Sequence, residues 1–557
     1  MKVSDYIVNY LETLTETAFL LSGGGIMHLV DSIGRAKKLK VVCTHHEQGA
    51  ATAAEGYARI KNDVGVVVVT TGPGGTNAIT GAAGAWLDSI PMLVINGQVK
   101  RDNIVPKKNG ALTVRAIGFQ ELNVIDMVKP ISKYAETVEE PEDIRYHLEK
   151  AVYYAKNGRP GPSWVEVPLD IQAAEIDPKK LRGFTPPPVS QYTQKPLPME
   201  IIVETLQNAK RPMLLVGNGV RLAGAEKILW DVLQKLQINT ATTIFTSDDL
   251  VTYEYPHYLG RQGMPGNKEA NWAIDNCDVL LVIGERLQLT QTSYEYQDFA
   301  TQAKIIMVDI DENELHKKTV NIDIPVKADA KDFLTELYTS DITLHRWDIP
   351  SSPIHPDEFA VDPGFVNVYS FLQELSKHLK GHHVATADGM ASLAPHQALR
   401  LKRGQRFITN AGLGQMGSGL PLAIGAAIAS HDPVVCMEGD GSLMLNIQEL
   451  QTVLYHTLPI KLYIWNNKGY FSIRNTHLAY FNKNFASDSE TGVSFPNYEK
   501  LMKAWGFPYV KISGNNDLHK VKEVQEHKGP IVCELIIDPN QPMLPKWTAG
   551  QFRGKKL

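Results

Sequence analysis

Residues 439–470 read GDGSLMLNIQELQTVLYHTLPIKLYIWNNKGY, and the fold turns on what the two polar ends of this stretch are doing. The run before it, PVVCME, has the form of a buried strand. Asp440, framed by Gly439 and Gly441 and followed by Ser442, then falls at its carboxyl edge, where open α/β sheets place ligand-binding groups. LNIQELQTVLYH carries apolar residues at helical spacing, so 441–446 is expected to lead into a helix N-terminus, a place that suits phosphate. PIKLYIW is a second strand, ending at Asn466 and Asn467. If the two strands are parallel neighbours, Asp440 and Asn467 meet. One carboxylate, one amide oxygen and a backbone carbonyl would then form the partial all-oxygen shell that Mg²⁺ favours beside a diphosphate and water. Either end alone is an ordinary turn with capping residues. Together, at the ends of two apolar strands, they read as two halves of one clamp.

The same rhythm of β-branched run, Gly-rich turn and helix recurs at 64–86, VGVVVVTTGPGGTNAITGAAGAW, and at 211–233, RPMLLVGNGVRLAGAEKILWDVL. Continuous apolar strands alternating with helices predict parallel sheets covered on both faces. Two proline-rich stretches, 184–198 and 346–363, interrupt the rhythm and read as extended linkers. The chain therefore divides into three doubly wound α/β domains at 1–180, 198–345 and 364–545, with a tail at 546–557. Its basic end, GQFRGKKL, is expected to be solvated. The outer two blocks are of similar size and kind, although too little identity links them to read a duplication.

A length of 557 residues exceeds one hydrophobic core, and 43% apolar with 21% charged residues is ordinary globular composition. A net charge of −5 gives no reason to expect nucleic acid or an anionic membrane as partner. Cys43, Cys277, Cys436 and Cys533 lie far apart without a CxxC pair, which suits free thiols in a reducing compartment. No signal-peptide pattern and no membrane-length apolar run is evident, so the expectation is a soluble cytoplasmic protein.

GDG followed at this interval by NN resembles the diphosphate-binding signature of thiamine-diphosphate enzymes, and the similarity to their acetolactate synthase-like branch extends over nearly the whole chain. The resemblance implies Mg²⁺ on Asp440, Asn467 and the Gly469 carbonyl. GLGQMGSGLPLAIGA (412–426) is similar to the family motif that contacts the cofactor around Gly414 and Met416, the methionine holding it bent. CTHHEQGAATAAEGYAR (43–59) carries the matching first-domain glutamate, Glu47, which the resemblance casts as the catalytic partner of the cofactor's pyrimidine ring. Read from the residues alone, Glu47 is equally a first-turn helix glutamate. His45 and His46 are weighed between substrate contact and a structural role. TTGPGGTNA (70–78), with Gly74 and Asn77, resembles the loop that closes over the cofactor's reacting end, and GFQE (118–121) places Phe119 and Gln120 nearby. In this family Glu47 serves a cofactor held by the third domain of a neighbouring chain, so a homodimer or homotetramer is implied.

In the middle block VGNGV, LGRQGMPGNKEAN, VIGERL and VDIDENEL resemble FAD-binding stretches, pointing to Gly217, Gly219, Gly263, Asn271, Arg286 and Asp309 for a structural flavin. A lone G-x-G is weak evidence; four stretches in order carry more. Departures from the acetolactate synthase pattern fall at Leu169, at the stretch after Arg286, and at Ser472 and Thr476, where the family has a methionine and a tryptophan. Smaller, hydroxylated side chains widen an acceptor pocket and make it more polar. The expectation is a carboligase that decarboxylates pyruvate or a close 2-oxo acid and passes the acyl unit to a ketone acceptor. GYFSIRNTH (469–477) resembles the acetolactate synthase-like proteins of bacterial surface-polysaccharide clusters, which implies a nucleotide-linked deoxy-4-ketosugar as favoured acceptor, with Arg474 weighed as its anion contact or as a loop arginine. Acetolactate formation is the alternative, and a non-catalytic nucleotide-binding paralogue is the reading from another class.

Overall fold

The computed structural model describes residues 1–188, 192–244, 250–543 and 546–557, so residues 189–191 of the first proline-rich stretch lie outside it. Three six-stranded sheets follow one another along the chain. The first contains β1 (Thr17–Leu20), β2 (Lys40–Cys43), β3 (Gly65–Val69), β4 (Met92–Gln98), β5 (Tyr134–Thr137) and β6 (Pro162–Pro168), in the spatial order β2-β1-β3-β4-β6-β5. The second contains β7 (Pro212–Val216), β8 (Asn239–Thr243), β9 (Tyr258–Gln262), β10 (Val279–Ile283), β11 (Lys304–Asp309) and β12 (Ile324–Lys327), ordered β9-β8-β7-β10-β11-β12. The third contains β13 (His383–Thr386), β14 (Phe407–Thr409), β15 (Val434–Gly439), β16 (Ile460–Asn466), β17 (Tyr509–Ile512) and β18 (Ile531–Ile536), ordered β14-β13-β15-β16-β18-β17.

Every neighbouring pair within these sheets is parallel, as the apolar, β-branched strands predict. The outer sheets share one strand order. The middle sheet has the doubly wound order of dinucleotide-binding domains, reversing direction between β7 and β10.

The outer domains are fused through two helices, α1 (Glu47–Lys61) and α2 (Gly419–Ser430). The α2 sequence GLPLAIGAAIAS is apolar on all sides, and such a helix must be enclosed. Alanines and glycines let the two backbones touch: a methyl on Gly425 would fall on the Ala53 carbonyl, and one on Gly56 on the Leu422 carbonyl. Ala50, Ala53, Ala54 and Tyr57 therefore share one core with Leu420, Leu422 and Ile424. Burying each of these larger aliphatic side chains contributes about 1.5–3 kcal/mol. The middle domain has its own cores on either side of its sheet.

The tail corrects an expectation. Trp547 is 1% exposed and donates to Asp275, whose carboxylate also accepts from the backbone N–H groups of Gly550 and Phe552. Gly554 N–H bonds to Asn276, so even the basic end is fastened to the middle domain by its backbone, while the Gln551, Lys555 and Lys556 side chains reach water. The aromatic residues of the tail need an apolar surface, and the helix Lys268–Asn276 provides both that surface and the acceptors. Among the described residues no helix is long and apolar enough to cross a membrane.

Candidate active site and nucleotide cavity

β15 and β16 pair in register from Val434↔Ile460 to Gly439↔Trp465, which brings the residues after each strand together. Gly469 N–H donates to Asp440 Oδ2 at 3.1 Å, and Gly441 N–H to Asp440 Oδ1 at 2.8 Å. Tyr498 donates to the Asp440 carbonyl from behind. Burial pushes the Asp440 carboxyl up to about 7, with the Gly441, Gly469 and Lys468 amides pulling it back.

The cluster fits a divalent cation. The Asn467 Oδ1 is buried and has no hydrogen-bond partner, and only one carboxylate is present. No group of three or more His, Cys, Asp or Glu is arranged for a metal among the described residues. A hard cation completing its shell with phosphate oxygens and water suits such a donor set. In the loop 412–417 the side-chain amide of Gln415 is also buried and unpartnered. Around Gly414 nothing lies closer to an added methyl than Asp388 at 4.0 Å, so this backbone faces open space.

The loop carrying Gly414 and Met416 is tied to the Asp440 turn. Gly417 N–H donates to Ser442 Oγ at 2.8 Å, and Asn446 Nδ2 to the Gly417 carbonyl at 2.8 Å. Just behind, Glu438, fully buried and pushed up to about 7 by desolvation, accepts from Leu420 N–H at 2.9 Å at the start of α2.

These ties set where the expected helix begins. A single turn, Asp440–Leu443, follows β15 and stops; helical structure resumes with a 3-10 turn at Ile447–Glu449 that runs directly into the helix Leu450–Tyr455. Asn446, at φ −137° and ψ 29°, is neither helical nor extended, and its amide is drawn to Gly417. Sequence reasoning does not single out Glu438, Asn446 or Asp388. An acid inside an apolar strand, as in VVCMEGDG, is the available signal for Glu438.

Arg474 also needs correction. It is 7% exposed, lies on the helix Phe471–Phe481, and donates to the carbonyls of Asn467 (3.2 Å) and Pro539 (2.9 Å). It is a buried helix residue and not a loop arginine, and it holds the Asn467–Gly469 turn from inside. Ser472 and Thr476 lie on the same helix and are exposed, the Thr476 hydroxyl being spent on the Ser472 carbonyl.

In the first domain Glu47 is the first residue of α1, directly after the extended residue His46. His46 Nδ1 accepts from Gln48 N–H at 3.1 Å and so caps α1. Glu47 is 5% exposed, and its Oε2 accepts from Asn77 Nδ2 at 3.0 Å, which joins two residues singled out in the sequence. The third domain of the same chain reaches this helix through Glu449, whose Oε1 accepts from His45 N–H at 3.0 Å. No hydrogen bond links Glu47 to the Asp440–Asn467–Gly469 cluster. Gly72, at φ +62°, turns against the Gln120 carbonyl with no space for a side chain, so the loop holding Gly74 meets the segment holding Phe119 and Gln120. Phe119 is 88% exposed there.

At the reversal point of the middle sheet lies a cavity of about 120 Å³. Gly219, Arg286 and Asp309 line it, with first-domain residues Asp88 and Arg159 on the opposite wall. Burial raises Asp309 to about 6. Gly217 stands behind the lining, where a methyl would strike the Gly284 carbonyl. Gly263 and Asn271 do not reach the cavity wall and brace a turn instead. The fully buried Asn271 amide closes both of its bonds on the Gly263 backbone, each at 3.0 Å.

Comparison with known proteins places these features. Residues 1–124 match the N-terminal TPP binding domain of thiamine pyrophosphate enzymes, 199–337 their central domain and 388–535 their C-terminal TPP binding domain. The chain is 32% identical to the acetolactate synthase isozyme 2 large subunit of Escherichia coli, over 100% of this chain and 99% of that one. It is 31% identical to the probable acetolactate synthase large subunit of Methanocaldococcus jannaschii, over 98% of this chain and 94% of the relative. Acetolactate synthase 1, chloroplastic, of Nicotiana tabacum is 30% identical over 99% of this chain and 84% of its own.

Proposed function

Since the chain belongs to the thiamine pyrophosphate enzymes, as an acetolactate synthase-like acyl transferase, we propose that it decarboxylates pyruvate or a close 2-oxo acid and joins the acyl unit to a second 2-oxo acid. The observation that carries the site assignment is the buried, unpartnered Asn467 Oδ1 beside Asp440 and Gly469, which suits Mg²⁺ held against a diphosphate. Bound thiamine diphosphate supplies the electron sink that a 2-oxo acid needs to lose CO₂. Asp440, Asn467 and the Gly469 carbonyl hold the metal; Gly439, Gly441 and Ser442 shape the turn beside it; Gly414 and Met416 orient the cofactor's rings. Glu47, kept in place by Asn77, would hold a proton for the cofactor's pyrimidine ring, while Gly74, Phe119 and Gln120 would border the reacting end.

In this reading the smallest active unit is a homodimer, with Glu47 meeting a cofactor held by the third domain of a neighbouring chain. The cavity of the middle domain suits FAD in a structural role, held through Gly219, Arg286 and Asp309.

The relatives' names favour a 2-oxo acid over a ketosugar as acceptor. A larger ketone remains the second reading because Ser472 and Thr476 leave the adjoining helix face open. The deciding experiment supplies enzyme, thiamine diphosphate, Mg²⁺ and pyruvate, with and without a nucleotide-linked 4-ketosugar. Acetolactate in both reactions and no sugar adduct is the expected result. An adduct formed in preference to acetolactate would replace the first reading by the second.

A further inference from the structure

One carboxylate outside the Asp440–Asn467–Gly469 cluster joins the cavity of the middle domain to the cofactor loop. Asp88 follows the first-domain helix Pro73–Leu87 and lines that cavity. Its Oδ2 accepts from Ala411 N–H at 3.0 Å and its Oδ1 from Gly412 N–H at 2.8 Å. These are the first residues of the loop that carries Gly414 and Met416. The same carboxylate pairs with Arg59 at 2.6 Å, and Arg286, on the cavity wall, stands 3.8 Å away. Arg59 in turn bonds to buried Glu55, which accepts from Asn410 Nδ2 at 2.6 Å. The loop therefore begins on two carboxylates of another domain. One of them forms the partition between two ligand sites.

We infer that Asp88 is a positioning residue: it fixes the 410–416 loop for thiamine diphosphate and couples that loop to whatever anion occupies the middle-domain cavity. A carboxylate accepting two backbone N–H groups fixes two successive peptide planes, and the charge-assisted bonds are about twice as strong as neutral ones. An anionic ligand draws Arg286 toward itself and leaves Asp88 to Arg59 and the two amides. Filling the cavity thus tightens the loop, and by linkage a bound thiamine diphosphate tightens the cavity to the same degree. Removing the charge at Asp88 still leaves Arg59 neutralised by Glu55, so the fold survives the substitution. The inference rests on the cofactor role proposed above for the 412–416 loop.

The test measures thiamine diphosphate affinity by calorimetry at saturating Mg²⁺, with and without FAD as the cavity probe, in the full-length protein. Wild type is expected to bind thiamine diphosphate about fivefold more tightly with FAD present. Asp88→Asn is expected to weaken thiamine diphosphate by about tenfold and to abolish the FAD effect, while kcat at saturating cofactor falls far less. Gly412→Ala disturbs the same contact from the other side, because its methyl would stand 2.5 Å from Asp88 Oδ1 with every charge kept; the same pattern is expected. Asp311→Asn, on a carboxylate that pairs with Arg159 and does not touch the loop, should retain the coupling. Wild-type affinity that is indifferent to FAD, or an Asp88→Asn protein that keeps the full FAD effect, overturns the inference alone. A wild-type protein that binds no thiamine diphosphate brings down the functional reading with it.

Discussion

The first and third sheets have the same strand order, yet their crevices differ. In both, the order reverses between the first and third strands, where a ligand is expected to sit. In the first sheet this crevice is filled. Gly25 N–H bonds to Thr70 Oγ1 at 3.1 Å, and the Thr71 hydroxyl occupies the position a methyl on Gly25 would need. In the third sheet it is open: an added methyl meets only Ser472 Oγ at 3.7 Å from Gly389 and only Asp388 at 4.0 Å from Gly414. Topology sets where a crevice can form; the side chains set whether it admits a ligand. The first domain instead offers one carboxylate, Glu47, at the end of its β2 edge.

The comparison breaks first at that carboxylate. Glu47→Gln is expected to slow CO₂ release from pyruvate by about 10²–10⁴-fold. Cofactor affinity, measured separately by calorimetry, should be nearly unchanged; normal turnover would remove Glu47 from the chemistry. On the opposite side, Asp440→Ala is expected to weaken Mg²⁺-dependent binding of thiamine diphosphate by about 100-fold, roughly 2.7 kcal/mol. Titration with cofactor at fixed Mg²⁺ decides it, and unchanged affinity would mean the metal lies elsewhere.

Gly25→Ala sharpens the contrast, since it overfills the closed crevice. Thermal denaturation should report a loss of about 1–3 kcal/mol, while the affinity of the third domain for cofactor stays as it was. The smallest effect is expected of His46→Ala, which removes the cap on α1 at a cost of about 1 kcal/mol; a loss of activity beyond that would give His46 a part in substrate binding.

Much of the fold is legible in the order of residues. The β-branched runs and their spacing mark three parallel sheets, and the GDG and NN ends already mark where Asp440 and Asn467 meet, because a parallel pair aligns whatever follows each strand. The tail is not legible, since a short basic segment has no periodicity to declare that Trp547 needs a partner. Arg474 is hidden because its two acceptors are backbone carbonyls, which no side-chain pattern announces. Asp88 escapes for the same reason: its partners Ala411 and Gly412 lie more than 300 residues along the chain.

By itself the sequence determined the sheet class, the three blocks, the family resemblance and the identity of the candidate ligands Glu47, Asp440 and Asn467, because local periodicity and short motifs act over a few residues. Only the tertiary structure decided which crevice stays open, which glycines let α1 and α2 touch, and which carboxylates hold the cofactor loop. Those depend on contacts between segments hundreds of residues apart, where the backbone supplies half of each hydrogen bond and leaves no trace in the order of side chains.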